Sequence, residues 1–170
     1  IRTANALQIW RKQQKSEVLF VPTMGALHKG HQQLITDAQT FGSSKKSVVL
    51  VSIFVNPLQF SPEEDFENYP RNLQQDCEIA ASSGASAIWA PPITEVFPGG
   101  HASHCKINIP SNLQEQLCGH SRPNHFDGVA TVITRLLAIA KPDGIVLGEK
   151  DWQQLVIVRH LLKDLGLSIR

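Results

Sequence analysis

Two imidazoles three residues apart, His28 and His31, close the segment Met24-Gly25-Ala26-Leu27-His28-Lys29-Gly30-His31. Both can donate to phosphate oxygens, and with a reference pKa of ~6.5 each can carry a proton near neutrality. Gly25 and Gly30 let a ligand approach the backbone closely. If the segment turns from a strand into a helix, its N–H groups and the helix dipole face any bound anion. Phosphate binding is the chemistry this pattern favours. A surface pair at a helix start and a metal pair are the competing readings, and the second lacks a further ligand at the usual zinc spacing.

Gly148-Glu149-Lys150-Asp151 is the second such segment. Lys150 is a mobile point charge suited to phosphate, and Asp151 is placed to cap the helix that follows. Gln59 and Gln154 are neutral amides with both donors and an acceptor. Such groups suit a substrate that carries hydroxyl and carboxylate together. His101, His104, Cys105, Cys118, His120 and His125 form a scatter without the spacing of a zinc site. Trp10, Trp89 and Trp152 are expected to anchor the core or its edge.

Positioning these groups falls to alternating strands and helices. Val18 to Pro22, Ser47 to Val55, Ala87 to Ala90 and Gly144 to Leu147 are apolar runs expected as strands, with Cys105 to Ile109 as a further one. Helical spacing runs through Thr3–Gln14, His31–Phe41, Leu73–Ser83, Phe126–Lys141 and Trp152–Leu165. Asn56–Arg71, Gly99–His104 and Gly119–Asn124 are expected as loops. Buried strands alternating with helices predict an α/β fold with a parallel sheet covered on both faces, and ligands then bind at the carboxyl ends of the strands. The His28–His31, Asn56–Phe60 and Gly148–Asp151 segments each follow a predicted strand. Side-by-side strands would bring them to one edge.

Basic residues number 16 and acidic ones 15 in 170, a net charge of +1, so no global field draws nucleic acid or an anionic membrane. Any anion must be held locally. Hydrophobic residues at 42% with charged ones at 18% give a globular composition. No apolar run approaches the ~20 residues of a membrane span. The odd cysteine count, Cys77, Cys105 and Cys118, favours a reduced cytoplasm over a disulfide framework.

Taken together, PTMGALHKGH (22–31), VSIFVNPLQF (51–60), Tyr69-Pro70-Arg71, Ser121-Arg122-Pro123 with His125-Phe126 and Gly128, and GEKDWQQL (148–155) resemble pantothenate synthetase (pantoate–β-alanine ligase). That family belongs to the nucleotidyltransferases with the His-x-Gly-His signature and has a Rossmann-like doubly wound sheet. The segments keep the family's order over nearly the whole chain.

The resemblance implies ATP-dependent condensation of pantoate with β-alanine through a pantoyl adenylate, with AMP and pyrophosphate released. It implies that Met24, Gly25, Ala26, Leu27, His28, Lys29, Gly30 and His31 line ATP, joined by Gly148, Glu149, Lys150 and Asp151. His31 would donate a proton or stabilise phosphate, with His28 and Lys150 beside it. Gln59 and Gln154 would hold pantoate, Gln59 also lying near β-alanine. Mg2+ would accompany ATP, and a homodimer is expected. The chain starts at Ile1 and ends at Arg170 as an apolar run opens. It is therefore expected to be the family's N-terminal nucleotide-binding domain without the small C-terminal domain. Another small-molecule nucleotidyltransferase and a His/Cys metal-binding module are the alternative functions.

Overall fold

A computed structural model gives the fold and describes residues 1–42, 47–60, 66–100, 103–122 and 124–170. Its elements are α1 (Ala4–Gln13), β1 (Val18–Thr23), α2 (Lys29–Ala38), β2 (Val48–Ile53), α3 (Leu73–Ser82), β3 (Ala87–Trp89) and α4 (Ile93–Val96), followed by α5 (Ser111–Gln114), α6 (Cys118–Ser121), α7 (His125–Ala140), β4 (Gly144–Ile145) and α8 (Trp152–Asp164). Short 3-10 turns lie at Pro57–Gln59 and Glu149–Asp151.

Among the described residues four strands form one parallel sheet in the order β3-β2-β1-β4. β1 pairs along its whole length with β2, from Val18 opposite Val48 to Thr23 opposite Ile53. On its other side Leu19 and Phe20 face Gly144 and Ile145. Alternation along the strands splits the core in two. Val18, Phe20 and Leu50 join α1, α7 and α8 on one face, through Leu7, Val129, Ile133 and Ile157. Leu19, Val21, Val49 and Val51 join α2 and α3 on the other, through Ile35, Ala38 and Ala80. Each large side chain fully buried in this way contributes about 1.5–3 kcal/mol. The predicted α/β architecture with two covered faces is the observed one.

Among the described residues α7 is the longest helix, with ten buried residues. It stops at Lys141, whose backbone turns left-handed at φ 48° and whose N–H returns to the Leu137 carbonyl. Pro142 then bars continuation.

Three expectations change. Cys105–Ile109 is not a strand. The Ile107 N–H donates to Thr131 Oγ1 at 2.9 Å and the Ile109 N–H to Asp127 Oδ1 at 2.7 Å. The amides a ladder would need are thus taken by side chains of α7. Gly119–Asn124, expected as loop, begins inside the short helix α6. Trp89 is fully buried and Trp10 packs at the core edge, but Trp152 is 52% exposed on the first turn of α8, where the chain has just left the sheet. Within the expected loops, residues 61–65 and 101–102 lie outside the described residues, as does Pro123 of the Arg122-Pro123 pair.

Candidate active site

The carboxyl ends of β1, β2 and β4 open into one cavity of about 570 Å³. Met24, Gly25, His28, Gly30 and His31 reach it from the β1 side, Gln59 from the β2 side, and Gly148, Lys150, Asp151 and Gln154 from the β4 side. The three segments that follow predicted strands therefore meet. Ala26, Leu27, Lys29 and Glu149 do not line the cavity. Leu27 is buried, and the other three are exposed.

The histidine pair is built into the start of α2. His28 is the N-cap, and its Nδ1 accepts the Gly30 N–H at 3.1 Å. The His28 N–H in turn donates to His31 Nδ1 at 3.3 Å. The rings lie 4.1 Å apart. An Nδ1 that accepts leaves the proton of a neutral imidazole on Nε2, so each ring has a donor to offer a ligand. Burial, and next the charge of His28, push the His31 pKa below its usual value. At neutral pH His31 therefore acts as a neutral Nε2–H donor, where the sequence alone allowed a second cation.

Backbone amides contribute less than the motif implied, because several are already engaged. The Gly25 N–H donates to Thr23 Oγ1 at 3.2 Å, and that hydroxyl donates to the Ser52 carbonyl at 2.7 Å. The Ala26 and Leu27 N–H groups donate to Asp76 Oδ2 and Oδ1 at 3.1 and 2.8 Å. Gly25 (φ 84°) and Ala26 (φ 50°) are both left-handed, a conformation costing a non-glycine residue of order 1–3 kcal/mol. A Cβ on Gly25 would stand 2.7 Å from Asp76 Oδ2, so position 25 needs glycine for space as well as for φ.

Gln59 is held at both ends of its amide. Its Nε2 donates to Met24 Sδ at 2.8 Å, and its Oε1 accepts from Asn56 Nδ2 at 3.1 Å. Asn56, 1% exposed, also donates to the Gly128 carbonyl and accepts the Leu58 N–H. His125 Nδ1 donates to the Gln59 carbonyl at 2.8 Å. This docks the Pro57–Gln59 turn on the first turn of α7. Gly128 makes the approach possible, since a Cβ there would meet the Leu58 carbonyl oxygen at 2.2 Å.

Opposite the polar groups, Phe54, Val129, Val132, Ile133, Leu136 and Val146 form an apolar wall. Asp151 stands at the N-cap position of α8, yet its side chain makes no capping bond and lines the cavity instead. Among the described residues no three His, Cys, Asp or Glu side chains gather as a metal site. His101 of the His/Cys scatter lies outside those residues. Sequence reasoning passed over Asn56, Asp76 and the α7 wall as site residues. Asn56 carried a signal, since it directly follows the strongest strand run. Asp76 carried none, being one acidic residue among the polar positions of the predicted helix Leu73–Ser83.

The chain that builds this cavity is matched by known proteins. The family model described as pantoate-beta-alanine ligase covers residues 1–170. The chain belongs to the pantoate–β-alanine ligase family. Among its relatives in that family, the bifunctional pantoate ligase/cytidylate kinase of Prochlorococcus marinus (strain MIT 9313) is 63% identical over 161 residues, 95% of this chain and 32% of the relative. The protein of that name from Synechococcus sp. (strain CC9311) is 57% identical over 151 residues, 89% of this chain and 30% of the relative.

Solved family members superpose over the whole chain. Pantothenate synthetase from Thermus thermophilus gives a TM-score of 0.89 at 37% identity, with 59% of that chain covered. Pantoate-beta-alanine ligase from Francisella tularensis, complexed with beta-gamma ATP and beta-alanine, gives 0.92 at 38%, with 64% covered. The chain thus spans about a third of these curated relatives and about three fifths of the solved ligases. Among the described residues, no helix is long and apolar enough to cross a membrane.

Proposed function

We propose that this chain carries the ATP- and pantoate-binding part of a pantoate–β-alanine ligase, which joins pantoate to β-alanine in two steps. In the first, a pantoate carboxylate oxygen bonds to the α-phosphorus of ATP. The bond from that phosphorus to the bridging oxygen breaks, giving pantoyl adenylate and pyrophosphate. In the second, the amine of β-alanine attacks the acyl carbon, the acyl–phosphate C–O bond breaks, and pantothenate and AMP leave. The observation that carries this reading is the convergence of the three strand-end segments on a single cavity.

Charge builds on the phosphate oxygens during the first step, and no covalent enzyme nucleophile is required. Catalysis then reduces to positioning and preorganised donors. His28 and His31 offer Nε2–H groups and Lys150 an ammonium from the facing segment. Gln59 and Gln154 would hold the hydroxyl and carboxylate of pantoate. The wall of Phe54, Val129, Val132 and Ile133 suits its methyl groups. Met24–His31 and Gly148–Asp151 together form the nucleotide side. Ala26, Leu27, Lys29 and Glu149 serve there as backbone and rim, since they lie off the cavity wall.

Mg2+ fits as the companion of ATP. It is commonly held by one or two carboxylates together with substrate phosphates, and Asp151 is the only carboxylate among the described lining residues. When bound, the ion would neutralise phosphate charge.

The wider reading includes a homodimer in the cytoplasm, supported by the family resemblance and the odd cysteine count, and light scattering checks the dimer. Turnover is assigned to a chain of the solved relatives' length. The deciding experiment is pantoate-dependent exchange of labelled pyrophosphate into ATP, followed by pantothenate formation on adding β-alanine. Exchange that ignores pantoate but responds to a phosphate ester would replace this reading with that of another nucleotidyltransferase.

A further inference from the structure

Asp76 is the one buried acidic residue of α3, 3% exposed on a helix whose other polar side chains lie largely at the surface. It lies 49 and 50 residues from the two amides it binds. Each carboxylate oxygen takes one of two consecutive N–H groups, at Ala26 and Leu27, immediately before the histidine turn. Ala26 sits in a left-handed conformation that an L-residue avoids unless its surroundings impose it. A negative charge beside a triphosphate site opposes ligand binding, so ligand contact does not explain its place. Loop geometry does.

We propose that Asp76 is a positioning residue for the phosphate chemistry: its carboxylate clamps the Ala26 and Leu27 amides and thereby aims the His28 and His31 imidazoles into the cavity. This rests on the ATP-binding reading above. A misplacement of about 1 Å at a reacting centre is enough to cost ~10²-fold in rate, and an unclamped left-handed turn would relax by at least that much. The charge has a second effect. The groups facing His31 are His28 and Lys150, which lower its pKa, and Asp76 and Asp151, which raise it. Removing Asp76 therefore lowers the titration of His31 further.

The test is Asp76→Asn in the ligase at its natural length. The variant keeps the shape but turns a donor toward one of the two N–H groups. Expected are a fall of about 10²-fold in kcat for pantoate-dependent pyrophosphate exchange, an unchanged KM for pantoate, and an NMR titration of His31 displaced to lower pH. Asn72→Ala, which removes the α3 N-cap bond to the Gln75 N–H, should lower thermal stability and leave kcat unchanged. That control separates loosening of α3 from loss of aim. Asp76→Ser, which keeps one acceptor, replaces the Asn variant if that variant does not fold, with the same shifts expected. Wild-type kcat in the folded Asp76→Asn variant would overturn the inference, whatever the His31 titration does. If the wild type itself shows no pantoate-dependent exchange, the functional reading falls. The NMR amide resonances of Ala26, Leu27 and His28 then judge the clamp alone, and values unmoved by Asp76→Asn overturn it.

Discussion

His31 combines two jobs in one ring. Its Nδ1 closes the reciprocal cap at the start of α2, and the residue lines the cavity with Nε2 left free of that cap. Truncating it, or Lys150, removes one preorganised donor, and such losses typically cost ~10²–10³ in rate. His31→Ala and Lys150→Ala are each expected to reduce adenylate formation by that order, measured as pyrophosphate exchange. Wild-type exchange in either variant would remove that residue from the catalytic set. The lowered pKa also has a stability consequence. Because the folded state holds His31 below its ordinary 6.5, the unfolded chain takes up the proton first as pH falls. The stabilisation is therefore complete above about pH 6.5 and is lost as pH drops through the folded value. Denaturant titrations of wild type and His31→Gln should diverge on acidification, with the wild type losing more. Parallel curves would show that the imidazole is not held neutral.

At the scale of elements, the site depends on one helix accepting a turn of backbone against its side. α7 receives the Pro57–Gln59 turn at Gly128, within reach of Asn56 and His125. Gly128→Ala would push a methyl group into the Leu58 carbonyl. Overpacking of this kind costs about 1–3 kcal/mol, and here the strain falls on the turn that aims Gln59. The expected result is a lower melting temperature together with weaker pantoate binding by calorimetry. A stable variant with full pantoate affinity would mean that the turn is free to shift. Much of this element structure was legible beforehand. Val18–Pro22 announced itself as a compact apolar run and Ser47–Val55 as an uncharged, β-branched one, and the motifs stood at their ends. The Asp76 clamp was not legible, because hydrogen bonds across 49 and 50 residues leave no local pattern. Cys105–Ile109 misled for the opposite reason. It was expected as a further strand, but Thr131 and Asp127 on α7 supply the acceptors that a neighbouring strand would otherwise provide.

For the whole molecule, a net charge of +1 coexists with a site suited to a polyanion. This is possible because sheet order, not composition, brings Lys150 to the imidazoles of His28 and His31: β1 lies between β2 and β4, so loops distant in sequence share one edge. The motif-bearing segments were readable without the strand order that joins them, and strand order is set by packing on both faces. The division of labour proposed for the full enzyme yields a prediction at this scale. The 170 residues alone should bind ATP and pantoate in calorimetric titrations, separately and together, yet make little pantothenate. Full turnover by the 170-residue chain would refute that division.

Met24 is the sole methionine of the chain. It lies between the histidine turn and Gln59, with its sulfur accepting the Gln59 amide and its side chain on the cavity wall. A chain grown with 13C-methyl methionine would therefore show a single labelled resonance, already assigned and located where nucleotide and hydroxy acid would meet. Titrating ATP and pantoate against that one line would report the order and mutual dependence of their arrival, without a reporter group and without chemistry taking place.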